Sequence, residues 1–332
     1  MSRLTQTLIP PAQRQTAREL TDALDLGFGD TTAKRSGFLI MLFLSGVIAI
    51  CGVLADSTAT VIGAMIIAPL GTPILGIGLG IVVGRLSLVI RSILWVLTGL
   101  AIVVGLGIAF SWVVADPASL ATNSQVEGRT SPDLMDLLAA LATGTAGAFA
   151  MCRKDLSAVL PGVAIAISLV PPLGVVGVCA GVGDWAGAFG ALMLFLSNVF
   201  ALVIAGSIVF TVAGYARDPE SSATANRRRA YGVVAVLSVL VVLPLAANSL
   251  WSLAVVSWSS TITDSTSEWL EDEPGARISG VEWRLGTATV TVITEDGTVP
   301  PVDDLRDDLG GGIPDWIGVI VDAGPGSEIV VQ

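Results

Sequence analysis

The chain has 332 residues, of which 53% are hydrophobic and only 14% charged, with a net charge of −11. Soluble domains carry roughly a quarter charged residues, yet between Gly37 and Ala115 the only charges are Asp56, Arg85 and Arg91, so this stretch is expected to face lipid or other apolar helices. Histidine is absent, which excludes a histidine triad, a histidine metal site and a histidine proton relay.

Residues 1–36 are polar and hold no apolar core, so no cleavable signal is expected and this segment is assigned to the cytoplasm. Within it, Ala12–Leu26 reads either as a short amphipathic helix on the membrane surface, through Ala17, Leu20 and Leu24, or as a solvated leader.

Seven apolar runs follow, at about 37–55, 59–83, 88–115, 134–151, 157–182, 186–213 and 231–257. Each approaches the roughly 20 residues a helix needs to cross the hydrocarbon core. The fourth is rich in Ala, Gly and Thr and is expected among other helices rather than against lipid. With the N-terminus cytoplasmic, 13 of the 17 basic residues fall on the cytoplasmic side, while the short outer loops near Asp56 and Asp184 hold none. This positive-inside pattern predicts a multi-pass cell-membrane protein with an extracytoplasmic C-terminus.

Residues 258–332 form an acidic tail region. Alternation over Val281–Ile293 around Gly286-Thr287 predicts a β-hairpin, Val302–Leu309 a short helix, and Trp316–Val321 and Glu328–Val331 strands. The region therefore reads as a small α+β domain with one modest core. Asp303, Asp304, Asp307 and Asp308 make an acidic helix side, without the spacing of an EF-hand. Cys51, Cys152 and Cys179 stand far apart in apolar surroundings and read as free thiols.

Two spans are interrupted. The second contains Gly63, Pro69, Gly71, Thr72 and Pro73, and the fifth contains Pro161, Ser168, Pro171 and Pro172. Proline lacks a backbone donor and clashes with the preceding turn, so such pairs break a helix and free backbone groups at membrane depth. Thr72 before Pro73 fits an N-cap with proline at the first helical position. Adding 99 carries Gly63 to Gly162, Ile66 to Ile165, Leu70 to Leu169, Pro73 to Pro172 and Gly78 to Gly177. The same offset relates spans one to three to spans four to six. The expected architecture is an all-α membrane domain over 37–257, with repeat one at 37–115, repeat two at 134–214 and an extra span at 231–257. Three spans is an odd number, so the repeats are inverted, each broken at its middle helix. Transporters of that design bind substrate at the breaks. The expected path residues are Ser45, Gly63, Pro69, Gly71, Thr72, Pro73, Ser168, Pro171, Pro172 and Asn198.

The stretches Ile62–Leu70 (IGAMIIAPL), Leu160–Ala166 (LPGVAIA), Val170–Leu173 (VPPL) and Leu194–Val199 (LFLSNV) resemble the DUF389 family of prokaryotic membrane proteins over about residues 37–214. Relatives often place Thr before the asparagine of the sixth span, where this chain has Ser197. The resemblance implies the membrane topology and no particular substrate.

Three functions compete. The leading one is a transport protein or channel passing a small ion or polar solute between the two breaks. The alternative is a membrane scaffold or sensor whose outer domain binds a partner or ion. An intramembrane enzyme fits poorly, because no Ser-Lys or paired-Asp arrangement lies within the spans. No catalytic residue, cofactor, metal or nucleic-acid partner is expected, whereas self-association of the glycine-rich spans is.

Overall fold

The computed structural model describes residues 8–112, 114, 120, 122–130, 134–156, 169–217, 254–270, 275–284, 287–294, 299–309, 312–314 and 317–325. The chain divides into two compact units, residues 1–245 and 246–332.

The first unit is helical. Helix α1 spans Ala17–Leu24 and opens on a capping box, in which the Thr16 side chain accepts from Glu19 N and the Glu19 carboxylate accepts from Thr16 N. Its apolar face (Ala17, Leu20, Leu24) is buried in the main core and packs on helix α4. The sequence offered lipid or solvent as the partner of this face; protein covers it instead. The remaining helices are α2 (Thr31–Leu54), α3 (Thr58–Ile67), α4 (Gly71–Val83), α5 (Leu86–Ser111), α6 (Ser124–Thr130), α7 (Leu134–Met151), α8 (Val170–Val182) and α9 (Trp185–Val212). Asp30, Ser57 and Asp184 cap α2, α3 and α9, each accepting from the backbone N–H of the third helical residue.

Helices α2, α5 and α9 are each long and apolar enough to cross a membrane. Counting the pairs α3–α4, bent by 48°, and α6–α7, bent by 86°, as one span each raises the number to five. The fifth expected span is described only from Leu169 onward, as α8, and residues 218–253, which hold most of the seventh, lie outside the described residues. Helices α2 and α5 expose large apolar side chains along one side, among them Ile40, Phe43, Leu94 and Leu97. Helix α4 is buried on nearly all sides, and α8 is buried from Val170 to Cys179. A helix apolar all round and buried all round is one that other helices surround.

In the second unit, residues 254–269 are helical, and strands β1 (Arg277–Arg284) and β2 (Thr287–Thr294) pair antiparallel as the expected hairpin. Helix α10 (Val302–Leu309) returns the chain to β3 (Gly318–Pro325), which pairs parallel to β2 in the order β1-β2-β3. Strand β3 begins two residues later than the sequence suggested and runs further; residues 328–331 lie outside the described residues. Thr and aliphatic residues alternate along β2, so Ala288, Val290 and Val292 turn to one face. Ile262 and Trp269 of the helical segment, Leu270 just after it, and Leu305 and Leu309 of α10 cover that face. The Trp269 indole donates to the Pro301 carbonyl at 3.1 Å, tying the helical segment to the start of α10.

Candidate functional site at the helix breaks

Helix α3 ends where proline forces it to. Pro69 has no N–H, and the residue before proline is pushed out of the helical region. Ala68 accordingly adopts φ −69° and ψ 125°, and its N–H turns back to the Met65 carbonyl at 3.3 Å. Thr72 N donates to Pro69 O at 3.2 Å, and Ile74 N to Leu70 O at 3.4 Å, which starts α4. Leu70 precedes α4 without any side-chain cap, so the Thr72 cap expected from the sequence does not form. The first four amides of a helix have no intrahelical acceptor. Pro73 is therefore tolerated inside the first turn, and the helix begins before it. Helix α8 starts in the same way after an uncapped Leu169, with Pro171 and Pro172 removing two donors from its first turn.

The offset of 99 found in the sequence holds in three dimensions. It carries the bounds of α4, 71–83, onto those of α8, 170–182, and the start of α5, 86, onto the start of α9, 185. Both short helices close on a left-handed glycine, Gly84 at φ 72° and Gly183 at φ 87°. In both, the next residue, Arg85 or Asp184, donates to the carbonyl five positions back, Gly80 or Cys179, at 2.9 Å.

The crossings obey the same offset. A Cβ on Gly78 of α4 would lie 3.2 Å from the Val203 carbonyl of α9; Gly177 of α8 approaches the Val104 carbonyl of α5 in the same manner. A Cβ on Gly206 of α9 would meet Leu75 of α4, and one on Gly107 of α5 would meet the Gly174 carbonyl of α8 at 2.6 Å. Each middle helix thus packs on the last long helix of the other half.

The expected path residues are distributed unevenly. Gly71, Pro73, Pro171 and Pro172 are buried, Pro69 and Thr72 half-buried, and Gly63 is exposed on α3 with open space beside it. Ser45 is buried, and its hydroxyl donates to the Leu42 carbonyl at 3.0 Å. Asn198 is 2% exposed, and its neighbour Ser197 donates to Leu194 O. Ser168 lies outside the described residues. Leu70 and Ile74 from one break, Leu169, Val170 and Leu173 from the other, and Phe195 and Val199 flanking Asn198 all belong to one apolar cluster. The offset also pairs Gly99, whose Cβ would come within 2.6 Å of Leu70, with Asn198, as Leu70 pairs with Leu169.

Sequence reasoning missed two polar knots at the helix ends. Asp56, at φ 48°, accepts from the Ser124 hydroxyl at 2.6 Å and from Gln125 N, while Asn123 donates to Val53 O. These bonds tie the α2–α3 turn to α6 and hold the Asp56 carboxyl below its usual range. Elsewhere, residues 13–19 bind the loop after α7 and the turn after α9. The Thr16-x-x-Glu19 box was the legible signal for that segment. The three cysteines are free thiols, with Cys152 and Cys179 buried and Cys51 exposed. Among the described residues no group of three His, Cys, Asp or Glu side chains could hold a metal.

Several long apolar helices and a separate small sheet unit define a membrane-spanning helical protein with an appended α+β domain. Residues 65–204 match the family described as Domain of unknown function (DUF389), the family its motifs resemble. Over 176 residues the chain is 35% identical to the uncharacterized protein MJ0678 of Methanocaldococcus jannaschii, covering 53% of this chain and 54% of that protein. The chain thus spans about half the length of this curated relative. No solved structure matches.

Proposed function

We propose that the chain is a membrane transport protein or channel that passes a small ion or polar solute between the two interrupted spans. The observation that carries this reading is the exchange of partners under one offset: α4 crosses α9 and α8 crosses α5 through equivalent glycines, and each of α4 and α8 starts at a proline-bearing interruption. Two such three-span units in tandem have opposite orientation, which is the inverted repeat of secondary transporters. The path is formed by Ser45, Gly63, Pro69, Gly71, Thr72, Pro73, Ser168, Pro171, Pro172 and Asn198. Seven spans cross the cell membrane, with the N-terminus cytoplasmic and the acidic domain extracytoplasmic, and the chain forms homo-oligomers. The test is flux into proteoliposomes against a panel of ions and small solutes, comparing wild type with Asn198→Leu and Thr72→Val. Flux of at least one species that both substitutions reduce supports the reading; no flux of any species sinks it.

One observation favours a second reading, a scaffold or sensor. A cleft of about 480 Å³ lies between α10 and β3, lined by Arg306 and by apolar side chains that include Val302, Leu305, Leu309, Ile317 and Val319. Under this reading, deleting residues 258–332 abolishes the cellular phenotype while Asn198→Leu leaves it intact.

A further inference from the structure

Residues 8–30 are fastened to both halves of the first unit, by different means. On the side of the first half, Leu20 and Leu24 are fully buried, and the Leu24 carbonyl fills the space where a Cβ on Gly76 of α4 would stand, 2.9 Å away. Asp25, 3% exposed, accepts from Arg91 of α5 at 2.6 Å and from Gly27 N at 2.8 Å. Lys34 of α2 donates to the Asp22 and Phe28 carbonyls and to the Asp22 carboxylate. On the side of the second half the links are polar, and all but the one to the buried Tyr215 are more open. Gln15 N donates to Cys152 O at 2.9 Å and Lys154 N to Gln13 O at 2.8 Å, around an antiparallel bridge between Arg14 and Arg153. The Tyr215 hydroxyl donates to Gln15 O at 2.8 Å beneath the Arg14 guanidinium. Glu19 pairs with Lys154 at 3.0 Å, each side chain 45% exposed.

We infer that residues 8–30 are a latch, fixed to the first half through Leu24 and Asp25 and releasable from the second half at Gln13–Glu19. A segment bonded to two bodies blocks their relative movement until one attachment opens. The exposed ion pair, the two-bond bridge and the Tyr215 hydroxyl bond are the weaker attachment, since exposed pairs add little and neutral hydrogen bonds add less than charged ones, and the buried apolar face with its buried carboxylate is the stronger. This rests on the reading above and adds to it that the ends of α7 and α9 shift against α1 and α5 during passage. Release uncovers Cys152, whose thiol is buried beside Arg14 and Tyr215 when the latch is shut.

Two measurements on the full-length chain decide it. With Cys51 and Cys179 replaced by alanine, Cys152 remains as the reporter, and its alkylation rate by N-ethylmaleimide reads the open fraction. Combining Glu19→Gln with Tyr215→Phe is expected to raise that rate at least tenfold; an unchanged rate overturns the latch. In a background with all three cysteines replaced by alanine, Arg14→Cys and Arg153→Cys form the lock. Facing residues that do not exchange backbone bonds stand about 4.5 Å apart at Cα, within disulfide reach. Oxidation is expected to cut flux at least tenfold, with recovery on adding dithiothreitol. Equal flux in oxidised and reduced forms overturns the latch and leaves transport standing. Absence of flux in every form, wild type included, removes the transport reading, and the alkylation rates still decide whether the segment releases.

Discussion

Helices α4 and α8 have equal length, start after an uncapped leucine and close on a left-handed glycine, yet the long helices that cross them differ. Where α4 meets α9, a methyl on Gly78 would stand 3.2 Å from the Val203 carbonyl, a contact that a small shift relieves. Where α8 meets α5, Gly177 and Gly107 lie backbone to backbone, and a Cβ on either would come within 2.7 Å of the other's Cα. Lipid tails are as apolar as the helices, so helix association in a membrane rests on close packing and on polar contacts. The comparison therefore separates a tight crossing, which fixes α8 to α5, from a looser one between α4 and α9.

The sharpest way to break this contrast is to fill both crossings. Gly177→Val is expected to cost about 3 kcal/mol or more, because overpacking against backbone has no side chain to move aside. Gly78→Ala is expected to cost about 1 kcal/mol, at the lower end of the same range. Unfolding of the detergent-solubilised chain, followed by tryptophan fluorescence, measures both. Equal losses would abolish the distinction between the crossings.

The halves also differ one turn into their third helices. Position 91 is an arginine paired with the buried Asp25, whereas its counterpart, Gly190, lies against the Thr130 carbonyl of α6. Asp25→Asn keeps the shape and removes the charge, and hydrogen bonds to charged groups contribute about 1.5–3 kcal/mol. The expected loss is about 2 kcal/mol, with α1 undocking first, seen as faster amide exchange at Leu20 and Leu24.

A third difference concerns the breaks themselves, where the offset carries Gly99, packed against Leu70, onto the buried Asn198. If the amide serves the path, Asn198→Leu reduces flux about tenfold, equivalent to about 1.4 kcal/mol, while Gly99→Ala acts through packing on Leu70 and lowers stability instead. Flux and unfolding measured on the same preparations separate these outcomes.

Much of the likeness between the two halves was legible in the sequence. Pro69, Pro73, Pro171 and Pro172 announced the interruptions, because a missing donor acts locally. The offset of 99 placed Gly78 on Gly177, and the structure puts equivalent crossings at both. Periodicity in the tail marked β1, β2 and α10. What stayed hidden depends on contacts between distant residues. Asp25 and Arg91 are 66 positions apart, and Tyr215 and Gln15 are 200 apart. Arg91 read only as one of three charges in a long apolar stretch, though from α5 it anchors α1. The short pattern Ala17, Leu20, Leu24 was visible, but a stripe of that size fits lipid or protein equally well, and only the space beside Gly76 decides for protein.

The smallest expected effect lies at the releasable end of the N-terminal segment and tests whether the second half is indeed the weaker attachment. The Thr16 backbone N–H and the Lys154 ammonium hold the Glu19 carboxyl down from 4.5 to about 2. A carboxyl whose folded value is depressed contributes stability that is fully present above its unfolded value and is lost as pH falls through its folded value. The attachment at Glu19 should therefore weaken between about pH 4.5 and pH 2 and stay constant above that window. Glu19→Gln should flatten this part of the profile, and the difference between the two profiles is the quantity to read, because Asp155 beside Arg153 has its own depressed value nearby. Amide exchange at Gln15 and Lys154, whose N–H groups make the bridge, follows the attachment directly. If exchange at Leu20 or Leu24 accelerates first as the pH drops, the buried face is the weaker attachment, and the assignment of fixed and releasable ends reverses.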